Sequence, residues 1–440
     1  MNKKLWQILS TLMIVALLAT ACAAPATTAP ATAAPATAAP ATAICSGVYA
    51  KLNVEPNAEI SFSGWGDESE QSVWREAIAR FNQVCPGVKV NYLPVTADFQ
   101  TKLKAQMAAN QAPDTFYVDV ELLTAFAPNG KMLALDDYMA QVGTNKSDYI
   151  EALLGEFTYN GMLYALPKDF NTLGLVYLPE MFEAAGVAEP TPEWTYDDMR
   201  TAAMKLTKTG VAGYCQTSDS ARWAPVLFAY GGDFTTPDWT KATFNTPEAV
   251  QSLQLLADMK FKDKSLVQPS DIGAGWCGEA LGKKLTAMTF EGSWVIPFLA
   301  QTYPDVKYKI VTLPKGPQGL ADVLFTVGIG VAATTKYPNA SAALAMYLTG
   351  SENQEAILQT GFALPTVKAL LDHPWFNDHP DVAAVVEMGK IAKLGYWGPK
   401  TGTVYNVVSA AVERVWLGQM DVQESLDKGV ADLDILLQSP

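Results

Sequence analysis

Between Glu59 and Val120 the sequence alternates strand and helix patterns, and no other feature limits the fold as much. "EISFSGWG" (59–66) alternates apolar and polar residues and reads as a strand. "DESEQSVWREAIARFNQVCPG" follows. Asp67 stands at an N-cap position, and Glu70 three residues on completes a capping box. Trp74, Ile78 and Phe81 recur at helical spacing, and Pro86 with Gly87 stops the helix. "VKVNYLPV" is a second strand. "DFQTKLKAQMAANQAPD" is a second helix with Phe99, Leu103 and Met107 on one stripe, and "TFYVDV" is an apolar third strand suited to burial on both faces. This order implies a parallel sheet with right-handed crossovers. Later segments repeat the theme. "YNGMLYALP" carries Asn160-Gly161 between apolar runs, a hairpin signal. "TLGLVYLP" and "VLFTVGIGVAA" read as strands, Thr195 with Asp198 and Thr246 with Pro247 open helices, and the chain is helical from about Val404. The expected class is α/β, with enough elements for two sheets.

The N-terminus obeys different rules. Lys3 and Lys4 precede an apolar run over 9–18, too short to span a bilayer, and Ala19, Thr20 and Ala21 precede Cys22. Residues 1–22 therefore read as a secretory signal ending in a lipobox-like cysteine, although Ala19 stands where that motif prefers Leu. Acylation of Cys22 would anchor the chain to a membrane. Residues 23–44 are Ala, Pro and Thr apart from the final Ile44, with prolines at 25, 30, 35 and 40. Such a segment has nothing to bury and extends as polyproline II, reaching on the order of 60 Å. It reads as a tether.

Beyond Cys45 lie about 395 residues, a length that suits two domains. A net charge of −14, with acidic residues scattered, argues against nucleic acid or a polybasic membrane face as partner. Cys45, Cys85, Cys215 and Cys277 make an even count in an exported chain, so two disulfides are expected. Three pairings are possible, and position favours Cys45 with Cys85 and Cys215 with Cys277. No zinc spacing occurs. His373 and His379 sit among Asp372, Asp378 and Asp381 in a Pro-broken stretch that reads as a polar loop, so no metal and no cofactor are expected. "VGIGVAA" lacks the context of a nucleotide-binding turn, and no GxSxG, HExxH or P-loop is present.

"FNQVCPGVKV", "KLKAQMAANQAPDTFYVD", "YNGMLYALPKDFNTLGLVYLPEMFEAAG", "LTAMTFEGSW" and "GQMDVQESL", in that order, resemble the solute-binding proteins of ABC-type sugar importers, of the maltodextrin-binding kind. The resemblance spans Glu59 to about Leu426. It implies a two-lobed periplasmic-binding-protein-like fold with a multi-strand hinge and the ligand between the lobes. It places one lobe at 45–167 plus 328–374 and the other at 168–327 plus 375–440. It also implies a mono- or oligosaccharide ligand, ABC permease subunits as partners, a monomer, and a place on the outer face of the cytoplasmic membrane. No enzymatic activity is expected.

A sugar presents a C–H face that stacks on aromatic rings and hydroxyls that need polar partners. Ligands of open α/β sheets lie beyond the carboxyl ends of strands. Candidates there are Asp67 and Glu68 after the first strand, Asp119 and Glu121 after the third, and Asp169 and Asn171 at the crossing. "FEGSW" adds Glu291 and Trp294, and the resemblance gives Trp294 the stacking role. Tyr405 stands where the family has a stacking Trp, and Trp223 and Tyr230 fall near a third family aromatic. Two alternatives stand beside this reading: a binding protein for a polyol, glycerol phosphate or metal chelate, and an exported glycosidase. A phosphate would require basic residues, for which Lys168 and Arg222 are the candidates.

Overall fold

The computed structural model describes residues 44–439. The signal segment, Cys22 and all but the last residue of the tether lie outside them. In the first sheet, Glu59–Ser63 pairs in parallel with Lys89–Tyr92 on one side and Thr115–Val118 on the other. The second sheet has the order Lys309–Val311, Gly174–Tyr177, Thr286–Glu291, Ala212–Cys215, Leu266–Val267. It is mixed: Thr286–Glu291 runs parallel to Ala212–Cys215 and antiparallel to Gly174–Tyr177.

Each sheet carries its own core, and the chain visits each core twice. The first core draws on residues 45–166 and again on 329–370. The second draws on 173–323 and again on 388–433. The fold is therefore two-lobed. Local sequence explains most elements. In the helix Glu68–Val84, Trp74 and Phe81 are fully buried, each worth roughly 1.5–3 kcal/mol of apolar burial. Thr195 and Asp198 form a reciprocal capping box for Tyr196–Leu206, and the Thr246 side chain caps Pro247–Phe261. The hairpin Thr158–Tyr159/Met162–Leu163 turns through Asn160 and Gly161, both with positive φ, as a tight right-twisted turn demands.

One expected device is absent. Asp67 caps the first helix by accepting from the Ser69 and Glu70 amides, but Glu70 does not reach back to complete a box. Its side chain turns inward and accepts from the Tyr117 hydroxyl at 2.8 Å.

The connection between lobes is an antiparallel pair. Ala165–Asn171 lies along Val323–Val331, with a bulge at Val327/Gly328. Ala165 and Ile329 belong to the first core, whereas Leu173 and Val323 belong to the second. Asp322 ties the second-lobe ends of these strands together. Its carboxylate, with no exposed surface, accepts the Leu173 amide at 2.8 Å and the Val323 amide at 2.7 Å. Burial pushes its pKa well above the usual carboxylate range.

Both disulfides are present, Cys45–Cys85 and Cys215–Cys277. The second joins the end of a second-sheet strand to the start of the helix Cys277–Gly282. His373 contacts Glu355 at 3.3 Å, and the His379 ring stacks on Trp375 at 3.8 Å. Among the described residues, no group of three or more His, Cys, Asp and Glu is arranged to hold a metal, and no helix is long and apolar enough to cross a membrane.

Candidate functional site

A cavity of about 820 Å³ opens between the two lobes, beside the crossing strands. Six aromatic residues line it: Trp65, Trp276, Trp294, Phe325, Phe362 and Tyr405. So do Asp67, Glu70, Asp119, Glu121, Glu156, Asp169, Asp219 and Glu291, against two cations, Lys168 and Arg222.

The Trp294 corner follows from the turn after Thr286–Glu291. Glu291, the last residue of that strand, is buried and accepts from both the Trp294 indole N–H and the Arg222 guanidinium at 2.9 Å. Two donors thus hold one carboxylate, and that carboxylate fixes the indole. Arg222 lies 5.7 Å from the centre of the Trp294 ring, and Phe325 meets that ring edge-on at 6.1 Å. A Cβ on Gly292 would sit 2.4 Å from the indole, so only glycine permits this turn. Burial raises the Glu291 pKa against the opposing pull of Arg222. Arg222 itself is held above its usual value: burial disfavours its charge, but Glu291 and Asp219 outweigh that.

Lys168 forms a second corner. Its ammonium is almost wholly buried, contacts Asp169, and lies 3.7 Å from Glu70. It also lies over the rings of Trp74, Tyr117 and Phe362 at 5.1, 4.7 and 5.5 Å. A buried lysine needs such surroundings, because an unpaired one would lose its proton or unfold the site. Burial pushes Glu70 up to about 7, although Lys168 and the Tyr117 hydroxyl favour its anion.

Glu156 is different. It is 4% exposed, faces the cavity, and has no hydrogen-bond or ion-pair partner among the described residues. Burial, and then the Asp119 charge, push its pKa up to about 8. At neutral pH it is mainly a carboxylic acid, able to donate as well as accept.

The other expected residues sort by placement. Asp67 lines the cavity and caps its helix with one oxygen, the other having no partner among the described residues. Asp119 caps Val120–Phe126 and accepts from Gln100 at 3.2 Å, and burial raises its pKa. Glu121 lines the cavity, contacts Lys104, and packs on Gly402, where any Cβ would meet its side chain at 2.4 Å. That glycine lets the start of Thr401–Trp416 approach the first lobe. Tyr405, on the same helix, lines the cavity edge-on to Trp397, and burial drives its pKa strongly upward. Asn171 lines the cavity, but its amide is engaged in the hinge. It accepts the Ser293 amide at 3.0 Å and donates to the Ser293 hydroxyl at 2.9 Å.

Three residues lie elsewhere. The Glu68 side chain is 70% exposed and pairs with Arg75, so it does not line the cavity. Trp223 has no exposed surface and donates its indole N–H to Ser252 at 3.0 Å inside the second core. In the helix Ser220–Tyr230 its neighbour Arg222 takes the cavity side. One residue is about 100° of helical rotation, enough to send the Trp into the core. Tyr230, about 12 Å further along that helix, packs against Tyr196 rather than the cavity. The sequence reading passed over Trp65, Glu70 as a cavity group, Gln100, Glu156, Trp276, Phe325 and Phe362. Trp65 carried a signal, since "GWGD" directly follows the first strand. Glu156 carried none, being one acidic residue among 45.

This arrangement is that of a binding protein which encloses its ligand between two lobes. Residues 65–355 match the family described as bacterial extracellular solute-binding protein, and the chain belongs to that family. The galactooligosaccharide-binding protein of Bacillus subtilis is 22% identical over 382 residues, covering 83% of this chain and 86% of its own length. The diacetylchitobiose binding protein DasA of Streptomyces coelicolor is 22% identical over 331 residues, covering 72% of this chain and 76% of its own. Among solved structures, an ABC substrate-binding protein of Listeria monocytogenes in complex with cycloalternan matches with a TM-score of 0.80 at 23% identity. That match covers 87% of this chain and 100% of the other.

Proposed function

We propose that the chain captures a neutral carbohydrate between its lobes by hinge closure and delivers it to the permease subunits of an ABC importer. The cavity carries this reading: six aromatic rings sit beside carboxylates that accept sugar hydroxyls, with Trp294 held rigid by Glu291. A rigid ring loses little entropy when a sugar stacks on it. The relatives named for oligosaccharide ligands support the same class. In this reading the lobes comprise 45–167 plus 328–374 and 168–327 plus 375–440, and the protein is a monomer. Asp67, Asp119, Glu121 and Asp169 take sugar hydroxyls, and Tyr405 offers a second stacking face. A phosphate ligand is disfavoured, because Lys168 and Arg222 are already paired inside the site.

Acylation at Cys22 and the 23–44 tether complete the proposal. An anchored protein that must reach permease subunits in the same membrane needs a long extended leash. Ligand is released intact, with no bond cleaved. A thermal-shift panel of mono-, di- and oligosaccharides, glycerol phosphate and polyols tests the function. A sugar should raise the melting temperature and be recovered unchanged. A shift with glycerol phosphate alone, or recovery of hydrolysed sugar, would refute the proposal.

A further inference from the structure

A smaller pocket of about 270 Å³ lies on the second-sheet lobe, lined among others by Phe228, Asp233, Thr236, Trp239, Tyr396 and Trp397. Trp239 is the unusual member. It is 40% exposed, yet its backbone is left-handed, with φ +59. Glycine or asparagine ordinarily takes such a position, and a bulky residue there is an outlier that points towards function. The turn is firmly held. The Trp239 amide donates to the Thr236 carbonyl at 2.8 Å, the Thr236 amide donates to the Lys241 carbonyl at 2.9 Å, and Asp238 accepts from both Thr236 and Thr240 hydroxyls.

The indole is also shaped around. Gly398 has φ +74, and a Cβ there would lie 2.7 Å from the Trp239 ring. Tyr396 meets the same ring edge-on at 5.4 Å. Next to these rings Asp233 accepts from the Trp397 indole N–H at 2.8 Å and from Lys393 at 3.2 Å. A partly open indole, a tyrosine edge and a carboxylate are groups that a sugar ring uses.

The small pocket shares a wall with the large cavity. In the segment 393–397, Lys393, Leu394, Tyr396 and Trp397 line the small pocket, and Gly395 between them lines the large one. Leu324, paired with Leu394, also lines the large cavity. The Glu156 carboxylate, which faces the large cavity, helps raise the Tyr396 pKa after burial.

From this placement we infer that Trp239 and Tyr396 form an outer carbohydrate subsite, and that the ligand is an oligosaccharide whose end leaves the inter-lobe cavity to stack on Trp239. The inference rests on the proposed function and extends it to chain length. Calorimetry on the full chain tests it, with maltose to maltoheptaose and the matching galactan and arabinan series as probes. Affinity of the wild type should rise with chain length. Trp239→Ala should lose about tenfold for the longest oligosaccharide bound and leave the disaccharide unchanged. Trp239→Gly suits the left-handed backbone and so should fold even if the alanine variant does not; it should behave the same way. Equal losses for short and long sugars, or none for either, would overturn the subsite. If the wild type binds no sugar of any length, the proposed function fails and the subsite with it.

Discussion

Glu156 should make the stability of this protein fall as pH rises through neutrality. The carboxyl is buried without a partner, and its pKa is pushed from 4.5 up to about 8. Above pH 4.5 the unfolded chain releases this proton while the native state keeps it. Stability attributable to the neutral acid is therefore full below pH 4.5, declines as pH rises, and levels off above 8. At about 1.4 kcal/mol per pKa unit, the loss between pH 5 and pH 8 comes to about 3–4 kcal/mol. Glu70, pushed up to about 7 by burial, adds a decline of the same sign. Glu156→Gln keeps the shape and removes the titration, while Glu70 remains in both proteins. Urea denaturation of ligand-free wild type and variant at pH 5, 6, 7 and 8 isolates the Glu156 share. The variant should gain on the wild type by about 3–4 kcal/mol across that range. A difference between the two proteins that stays constant with pH would refute the reasoning.

Trp294→Ala should weaken the best sugar by about 2–4 kcal/mol, roughly 30- to 1,000-fold, as measured by calorimetry; unchanged affinity with a lowered urea midpoint would show the indole to be purely structural. Replacing both Cys215 and Cys277 by Ser opens a crosslink of sequence separation 62, and should cost about 4 kcal/mol in denaturant unfolding under non-reducing conditions. An unaltered midpoint would contradict this. Labelled palmitate should enter the wild type but not Cys22→Ala, which should leave the membrane fraction; equal labelling of both would remove the anchor from the proposal.

Much of the fold was legible because its determinants are local. The Asn160-Gly161 turn, the Thr195 and Thr246 caps and the helical stripe Trp74, Ile78 and Phe81 each depend on backbone preferences and periodicity within a few residues. Such signals survive in sequence because a short segment pays their energetic terms by itself. The "FEGSW" turn was legible for the same reason, since Glu291, Gly292 and Trp294 make one compact unit.

The site was only partly legible, because its remaining chemistry is long-range. Asp67 and Glu68 are adjacent in sequence, but one lines the cavity and the other pairs with Arg75 in solvent. Arg222 and Trp223 are adjacent too, and helical phase sends the cation to Glu291 and the ring to the core. That phase is set by what the helix packs against, which the segment itself does not encode. Glu70 reads as a capping residue until Lys168 and Tyr117 arrive from strands far along the chain and offer a better partner than the helix end. Glu156 and Asp322 look like ordinary acids until burial removes their water. Sequence thus determined the elements, their order and the family. Tertiary structure decided which charges lost solvent and which found partners, because desolvation and pairing exist only once distant segments meet.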